Sequence, residues 1–116
     1  MDDNYLLSMK DTYKCIQLYL EQYNKSINFD KDITSIINKI QIEIKNINEE
    51  NKNLTVRQAY IFFIDYLDRY LSESNKELEE LEILLGDIEL LNDGKPADPA
   101  VWEDWINIVN QVVNLI

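Results

Sequence analysis

The sequence predicts an all-α fold, a single compact bundle of about five helices, and two observations lead to this prediction. Every long apolar pattern repeats with the 3.6-residue period of an α-helix, and no segment keeps strict two-residue alternation beyond a few positions. The 116 residues are enough for one hydrophobic core, and only 2 glycines and 2 prolines are present, which leaves little linker material. We therefore expect residues 1–116 to form one domain.

Apolar stripes in the first half of the chain predict the first two helices. The first helix is expected from about Asn4 to Asn24, on a stripe of Leu6, Met9, Tyr13, Ile16, Leu20 and Tyr23. The second is expected on a stripe of Ile33, Ile36, Ile37, Ile40, Ile44 and Ile47. Residues 40–44 also alternate every two positions and are rich in a β-branched residue, so a strand there is the open alternative. If the longer helical pattern prevails, Ile42 faces away from the stripe.

The third and fourth helices are predicted from two start signals of the capping-box type, a Ser or Thr followed three residues later by Glu or Gln. Thr55 and Gln58 fit this pattern, and apolar residues cover most of the helix that follows, as expected for a central helix. Ser74 and Glu77 also fit it and predict a helix whose inward stripe is Leu78, Leu81, Leu85 and Ile88. Gly86 weakens this helix, which leaves a kink or an early end there as an alternative.

The last helix follows the stretch DGKPADPAVWEDW, residues 93–105. Asn92, Asp93 and Gly94 predict a turn. Asp98 is a suitable N-cap, and Pro99 suits the first helical position. The predicted core stripe is Trp102, Trp105, Ile106, Val109, Val113 and Ile116. Because both tryptophans then lie on the core side, the stretch is interpreted first as scaffold that reverses the chain and starts the helix.

The chain is acidic, and its charge is unevenly distributed. The net charge of −11 argues against binding to DNA or RNA, which depends on Lys and Arg neutralising phosphates. Residues 1–54 carry 9 acids and 7 bases, a net charge of −2, whereas residues 55–116 carry 13 acids and 4 bases, a net charge of −9. An acidic surface between Glu73 and Asp104 is therefore expected to attract basic proteins, although a solvated face without a partner is the alternative.

Within this acidic region, one apolar residue is predicted to face the solvent. On a helical projection Ile83 comes out nearly opposite the core stripe, among acidic residues. An exposed isoleucine ringed by carboxylates is typical of an interface anchor with a charged rim, and a lone surface aliphatic is the simpler interpretation. The candidate partner-binding residues are Glu79, Glu80, Ile83, Asp87 and Asp93.

Known catalytic and metal-binding patterns do not occur in the sequence. Cys15 is the single cysteine and there is no histidine, so neither an internal disulfide nor a Cys-His nucleophile pair can form. The residues before Gly94 do not supply the alternating oxygen ligands of an EF-hand, and no zinc spacing or phosphate-binding glycine loop is present. We expect no enzyme activity, no catalytic residues, no metal and no cofactor. The amino terminus has no basic region or long apolar run, which predicts a cytoplasmic protein without a membrane segment.

Three segments between residues 54 and 112 carry a family resemblance: LTVRQAYIFFIDYLDRYL, LEILLGDIELL and DGKPADPAVWEDW, with most of it in DPAVWEDW. Their order resembles small α-helical immunity proteins of bacterial contact-dependent growth inhibition and related polymorphic-toxin systems. The resemblance implies stoichiometric binding and neutralisation of a cognate toxin, often a nuclease, and it transfers no toxin-contacting residue. The alternative is an acidic adaptor or regulatory module for another basic protein, such as a phosphate-mimicking inhibitor of a DNA-binding protein. In either case we expect a free monomer that binds neither nucleic acid nor membrane.

Overall fold

The computed structural model describes residues 5–48 and 52–113, and helices account for most of them. Five helices occur in these ranges, and they are α1 (Met9–Ser26), α2 (Lys31–Asn46), α3 (Val56–Glu73), α4 (Glu79–Ile88) and α5 (Ala100–Val113). Two short strands, β1 (Leu6–Ser8) and β2 (Asn53–Thr55), form an antiparallel pair. The prediction of a largely helical fold with five helices is confirmed. The strict all-α class is wrong because of this small sheet.

The sheet corrects the predicted start of the first helix. Leu7 pairs with Leu54 in the strand register, and its side chain is fully buried, whereas Leu6 is 56% exposed. The helix begins only at Met9, because the Ser8 hydroxyl accepts a hydrogen bond from the Asp11 backbone N–H at 3.0 Å and caps it. The predicted first residue, Asn4, lies outside the described residues.

Helix α2 resolves the ambiguity at residues 40–44 in favour of the helix. Its buried side chains are the isoleucines Ile33, Ile36, Ile37 and Ile40, which belong to the common core. A strand over the same residues would point successive side chains to opposite faces and divide this stripe. Ile42 is 59% exposed, as the helical pattern predicts.

The two predicted capping boxes have different outcomes. The box of Thr55 and Gln58 at the start of α3 is confirmed, with both reciprocal hydrogen bonds present. The box of Ser74 and Glu77 is wrong, because Ser74 ends α3 and its hydroxyl is engaged locally with the backbone of Lys76. Helix α4 starts five residues after Ser74, at Glu79, without a side-chain cap. It runs through Gly86 to Ile88, and the predicted inward stripe is buried: Leu78, Leu81, Leu85 and Ile88.

Helix α5 packs Trp105 into the centre of the core. The side chain is fully buried, its indole N–H donates to the Val56 carbonyl oxygen at 3.2 Å, and its ring stacks on Phe63 with 5.3 Å between centroids. Trp102 is only half-buried, so the predicted stripe is rotated; the buried residues of α5 are Val101, Trp105, Ile108 and Val109. Ile116, the last member of the predicted stripe, lies outside the described residues.

Candidate partner-binding surface

Four of the five predicted binding residues share one face of α4. Leu81, Leu84, Leu85 and Ile88 bury the opposite side of this helix. At about 100° per residue, the positions of Glu79, Glu80, Ile83 and Asp87 fall within roughly 100° of arc. Ile83 is 50% exposed, as predicted. We call the surface formed by these four residues the α4 outer face.

Glu80 is tied to the rest of the fold by a hydrogen bond. The hydroxyl of Tyr23, near the end of α1, donates to Glu80 Oε2 at 3.3 Å. Burial, followed by the charge of Glu80 and its hydrogen bond, raises the pKa of Tyr23 to about 12. The protonated hydroxyl donates to the carboxylate, and Glu80 is half-buried, whereas Glu79 and Asp87 are exposed.

Acidic residues from other helices lie around the same region. The pKa of Tyr19 is raised by burial and then by three carboxylates, those of Asp104, Asp98 and Asp87. Asp87 and Asp30 contribute in the same way to the raised pKa of Tyr23. Carboxylates from three separate parts of the chain thus act on two neighbouring tyrosines of α1.

The sequence did not identify all of these residues as one group. Asp98 was predicted as an N-cap and lies within the predicted acidic region, and its Oδ1 does accept from the Ala100 backbone N–H at 3.0 Å. Asp104 lies at the end of the predicted acidic region, so the uneven charge of the sequence already indicated that it contributes to the acidic surface. No sequence pattern indicated Asp30, because it belongs to the more neutral half of the chain. It approaches the acidic residues of α4 only in the folded molecule.

Asp93, the fifth predicted residue, lies in the loop of residues 89–99 rather than on α4. Its Oδ1 accepts from the Lys95 backbone N–H at 2.9 Å, which stabilises the turn. Gly94 in this turn has a φ of 78°, and its N–H donates to the Leu91 carbonyl oxygen at 2.8 Å. The predicted turn at residues 92–94 is confirmed, and Asp93 belongs to a second surface.

The loop is fastened at several points. Leu90 and Pro96 form an isolated antiparallel bridge, and the Asp98 backbone N–H donates to the Asp87 carbonyl oxygen at 3.2 Å. Arg57 Nη2 on α3 donates to the Gly94 carbonyl oxygen at 2.8 Å. These contacts hold the start of α5 beside the end of α4.

The acidic side chains of the α4 outer face form no salt bridge with any cation among the described residues. Across residues 5–48 and 52–113, one salt bridge is present, between Lys76 Nζ and Asp32 Oδ1 at 3.0 Å. Glu79 and Asp87 are therefore hydrated carboxylates whose charge is available to another molecule.

No described helix is long and apolar enough to cross a membrane. The same residues contain no cluster of three or more acidic, cysteine or histidine side chains placed to hold a metal ion. Comparison of the chain with models of protein families, with curated proteins and with solved structures gave no match.

Proposed function

We propose that this protein is an immunity protein that binds and neutralises a cognate bacterial toxin, a nuclease, through stoichiometric protein–protein contact. The observation that carries the proposal is the α4 outer face, where the half-exposed Ile83 lies among carboxylates that form no salt bridge within residues 5–48 and 52–113. The family resemblance of residues 54–112 supports the same function.

The chemistry of a nuclease suits this surface. A nuclease holds phosphates with basic side chains, so an acidic inhibitor is attracted by the same field that attracts nucleic acid. Exposed carboxylates accelerate encounter, and an apolar side chain that becomes buried slows dissociation. Glu79 and Asp87 would supply the first effect and Ile83 the second.

The first experiment tests the class of partner. The carboxyl-terminal half of the protein encoded directly upstream, which the proposal predicts to be the toxin domain, is expressed in bacteria with and without this protein, and growth is recorded. We expect the domain to arrest growth and the protein to restore it, with inhibition of nuclease activity at a one-to-one ratio in vitro. A domain whose toxicity is unchanged would contradict the proposal. Binding to a DNA-binding protein instead would support the alternative of a phosphate-mimicking inhibitor.

The second experiment tests the surface with rate measurements on the same toxin domain. We expect Glu79→Lys combined with Asp87→Lys to lower the association rate about tenfold at low salt and to flatten its salt dependence. Ile83→Ala is expected mainly to raise the dissociation rate. Asp87 is chosen over Glu80 because Glu80 is bonded to Tyr23.

Matched controls come from exposed residues on other helices. Asp65→Lys combined with Asp68→Lys on α3 changes the net charge equally, and Ile42→Ala on α2 removes the same side-chain atoms from an exposed position. Both controls should bind at rates close to those of the wild type. Equal losses in test and control variants would show that overall charge, and not the α4 outer face, governs binding.

A further inference from the structure

A cavity of about 470 Å³ lies between the loop of residues 89–99 and the first turns of α3 and α5. Its volume is within the range of roughly 300 to 1,000 Å³ that is usual for small-molecule sites. Its apolar wall is formed by Tyr60, Trp102, Leu90, Leu91, Pro96 and Pro99. The half-buried Trp102 gives the cavity an aromatic side, and the fully buried Tyr60 supports it from behind, edge to face with 5.4 Å between ring centroids.

Two cations line the same cavity. Arg57 and Lys95 are both exposed, and they are half of the 4 basic residues between positions 55 and 116. Neither forms a salt bridge in the described part of the chain. Arg57 uses one N–H of its guanidinium on the Gly94 carbonyl oxygen and keeps further donors for a ligand.

One acidic residue lies beside these two cations. Asp93 is the acidic residue of the lining, and one of its carboxylate oxygens already accepts from the Lys95 backbone N–H. Arg57 belongs to the first turn of α3, where the partial positive charge of a helix N-terminus is located and no acidic residue is present. Two cationic side chains and one carboxylate therefore line an apolar cavity in a protein of net charge −11.

The loop that closes the cavity is fixed before any ligand arrives. The Leu90–Pro96 bridge, the Leu91 N–H bond to the Lys95 carbonyl oxygen at 2.8 Å and the Arg57–Gly94 bond all hold it. Binding to such a preformed site avoids the cost of ordering a flexible loop. The stretch of residues 93–105, which the sequence indicated as scaffold, thus also supplies much of the cavity wall.

We infer that this cavity is a binding site for a small apolar carboxylate, with the apolar body against Trp102 and Leu91 and the carboxylate at Arg57 and Lys95. The inference is independent of the toxin partner, because the ligand is tested on the free protein. At about 0.15 M salt the screening length is about 8 Å, so the more distant carboxylates of the protein weaken the attraction little.

The test uses three probes of the same shape and different charge: indole-3-acetate, indole-3-acetamide and tryptamine. Each is titrated into ¹⁵N-labelled protein while amide and indole N–H signals are recorded by NMR. We expect the carboxylate to bind at least about tenfold more tightly than the ammonium compound, with the neutral amide between them. The Trp102 indole N–H and the amides of residues 91–97 should shift. The Trp105 indole N–H, which is bonded to Val56 in the core, serves as the internal reference.

Charge reversal localises the effect. Lys95→Glu is expected to weaken indole-3-acetate binding about 3- to 10-fold and to strengthen tryptamine binding. Lys14→Glu makes the same change at an exposed site on α1 that does not line the cavity, and should alter affinity less than about twofold. The inference is overturned if the carboxylate does not bind, if the amide binds as tightly as the carboxylate, if the shifts map elsewhere, or if Lys14→Glu weakens binding as much as Lys95→Glu. The order of the three probes on the wild type decides the matter even if Lys95→Glu does not fold.

Discussion

The α4 outer face and the loop of residues 89–99 adjoin each other along the chain and differ in how they are held. Glu79, Ile83 and Asp87 depend on α4 for their position and have exposed side chains. The loop, in contrast, is bonded to α3 through Arg57 and to the end of α4 through the Asp87 carbonyl oxygen. Their charges differ too, because the α4 outer face carries only carboxylates and the loop cavity is lined by two cations.

This difference separates residues that are free to meet a partner from residues that maintain the fold. A side chain with few contacts inside the molecule can be changed at little cost in stability, so a loss of binding at that position reports on the interface. A residue of the loop affects several hydrogen bonds at once. Substitutions in the two regions should therefore differ in their effect on the free energy of unfolding.

The largest effect is expected at the tryptophans of α5, which test how far the loop region belongs to the core. Trp105→Ala removes a fully buried ring stacked on Phe63 and should lower the free energy of unfolding by about 3 to 5 kcal/mol. Trp102→Ala removes a half-buried ring at the cavity wall and should cost about 1 to 2 kcal/mol. Urea denaturation followed by circular dichroism measures both. Equal costs would show that Trp102 is part of the core and that the loop region is not separate from it.

The two glycines give a matched test of intermediate size. Gly94→Ala places a Cβ at a φ of 78° and 3.1 Å from Arg57 Nη2, so a loss of about 1 to 2 kcal/mol is expected. Gly86→Ala, on α4, meets nothing within 4 Å and should stabilise the protein by up to about 1 kcal/mol. Thermal and urea denaturation should show changes of opposite sign. A loss of stability in both variants would contradict the view of α4 as an unobstructed surface helix.

The smallest effect is expected on the α4 outer face itself. Glu79→Lys combined with Asp87→Lys should change the free energy of unfolding by no more than about 0.5 kcal/mol, because neither carboxylate has a partner within the described chain. The far-ultraviolet circular dichroism spectrum should be unchanged. A loss above about 1 kcal/mol would show that these residues maintain the fold, and reduced toxin binding by the variant would then say nothing about an interface.

Several parts of the fold were predictable because they depend on residues a few positions apart. The capping box of Thr55 and Gln58, the turn at Gly94 and the exposure of Ile42 and Ile83 all follow from spacing along a helix or from the chemistry of a turn. Ser74 shows the limit of such signals. Its pattern fitted a capping box, yet its hydroxyl bonds the backbone at Lys76 and the helix starts later.

The candidate site was predictable only in part, for a similar reason. Placing Glu79, Glu80, Ile83 and Asp87 together required only the helical period. The bond from Tyr23 to Glu80 joins residues 57 positions apart, and no local pattern indicates it. The loop that carries Asp93 is held against α3 by the bond between Arg57 and Gly94, which spans 37 positions and has no local pattern either.

The sequence by itself determined a largely helical chain with five helices, its uneven charge and the outward position of Ile83, because helical periodicity and side-chain charge are properties of the chain before it folds. The tertiary structure decided where α1 begins, since Ser8 ends a strand that pairs with Asn53. It also decided that Trp105 fills the core while Trp102 borders a cavity. These outcomes depend on backbone pairing and close packing between distant segments, whose geometry exists only in the folded molecule.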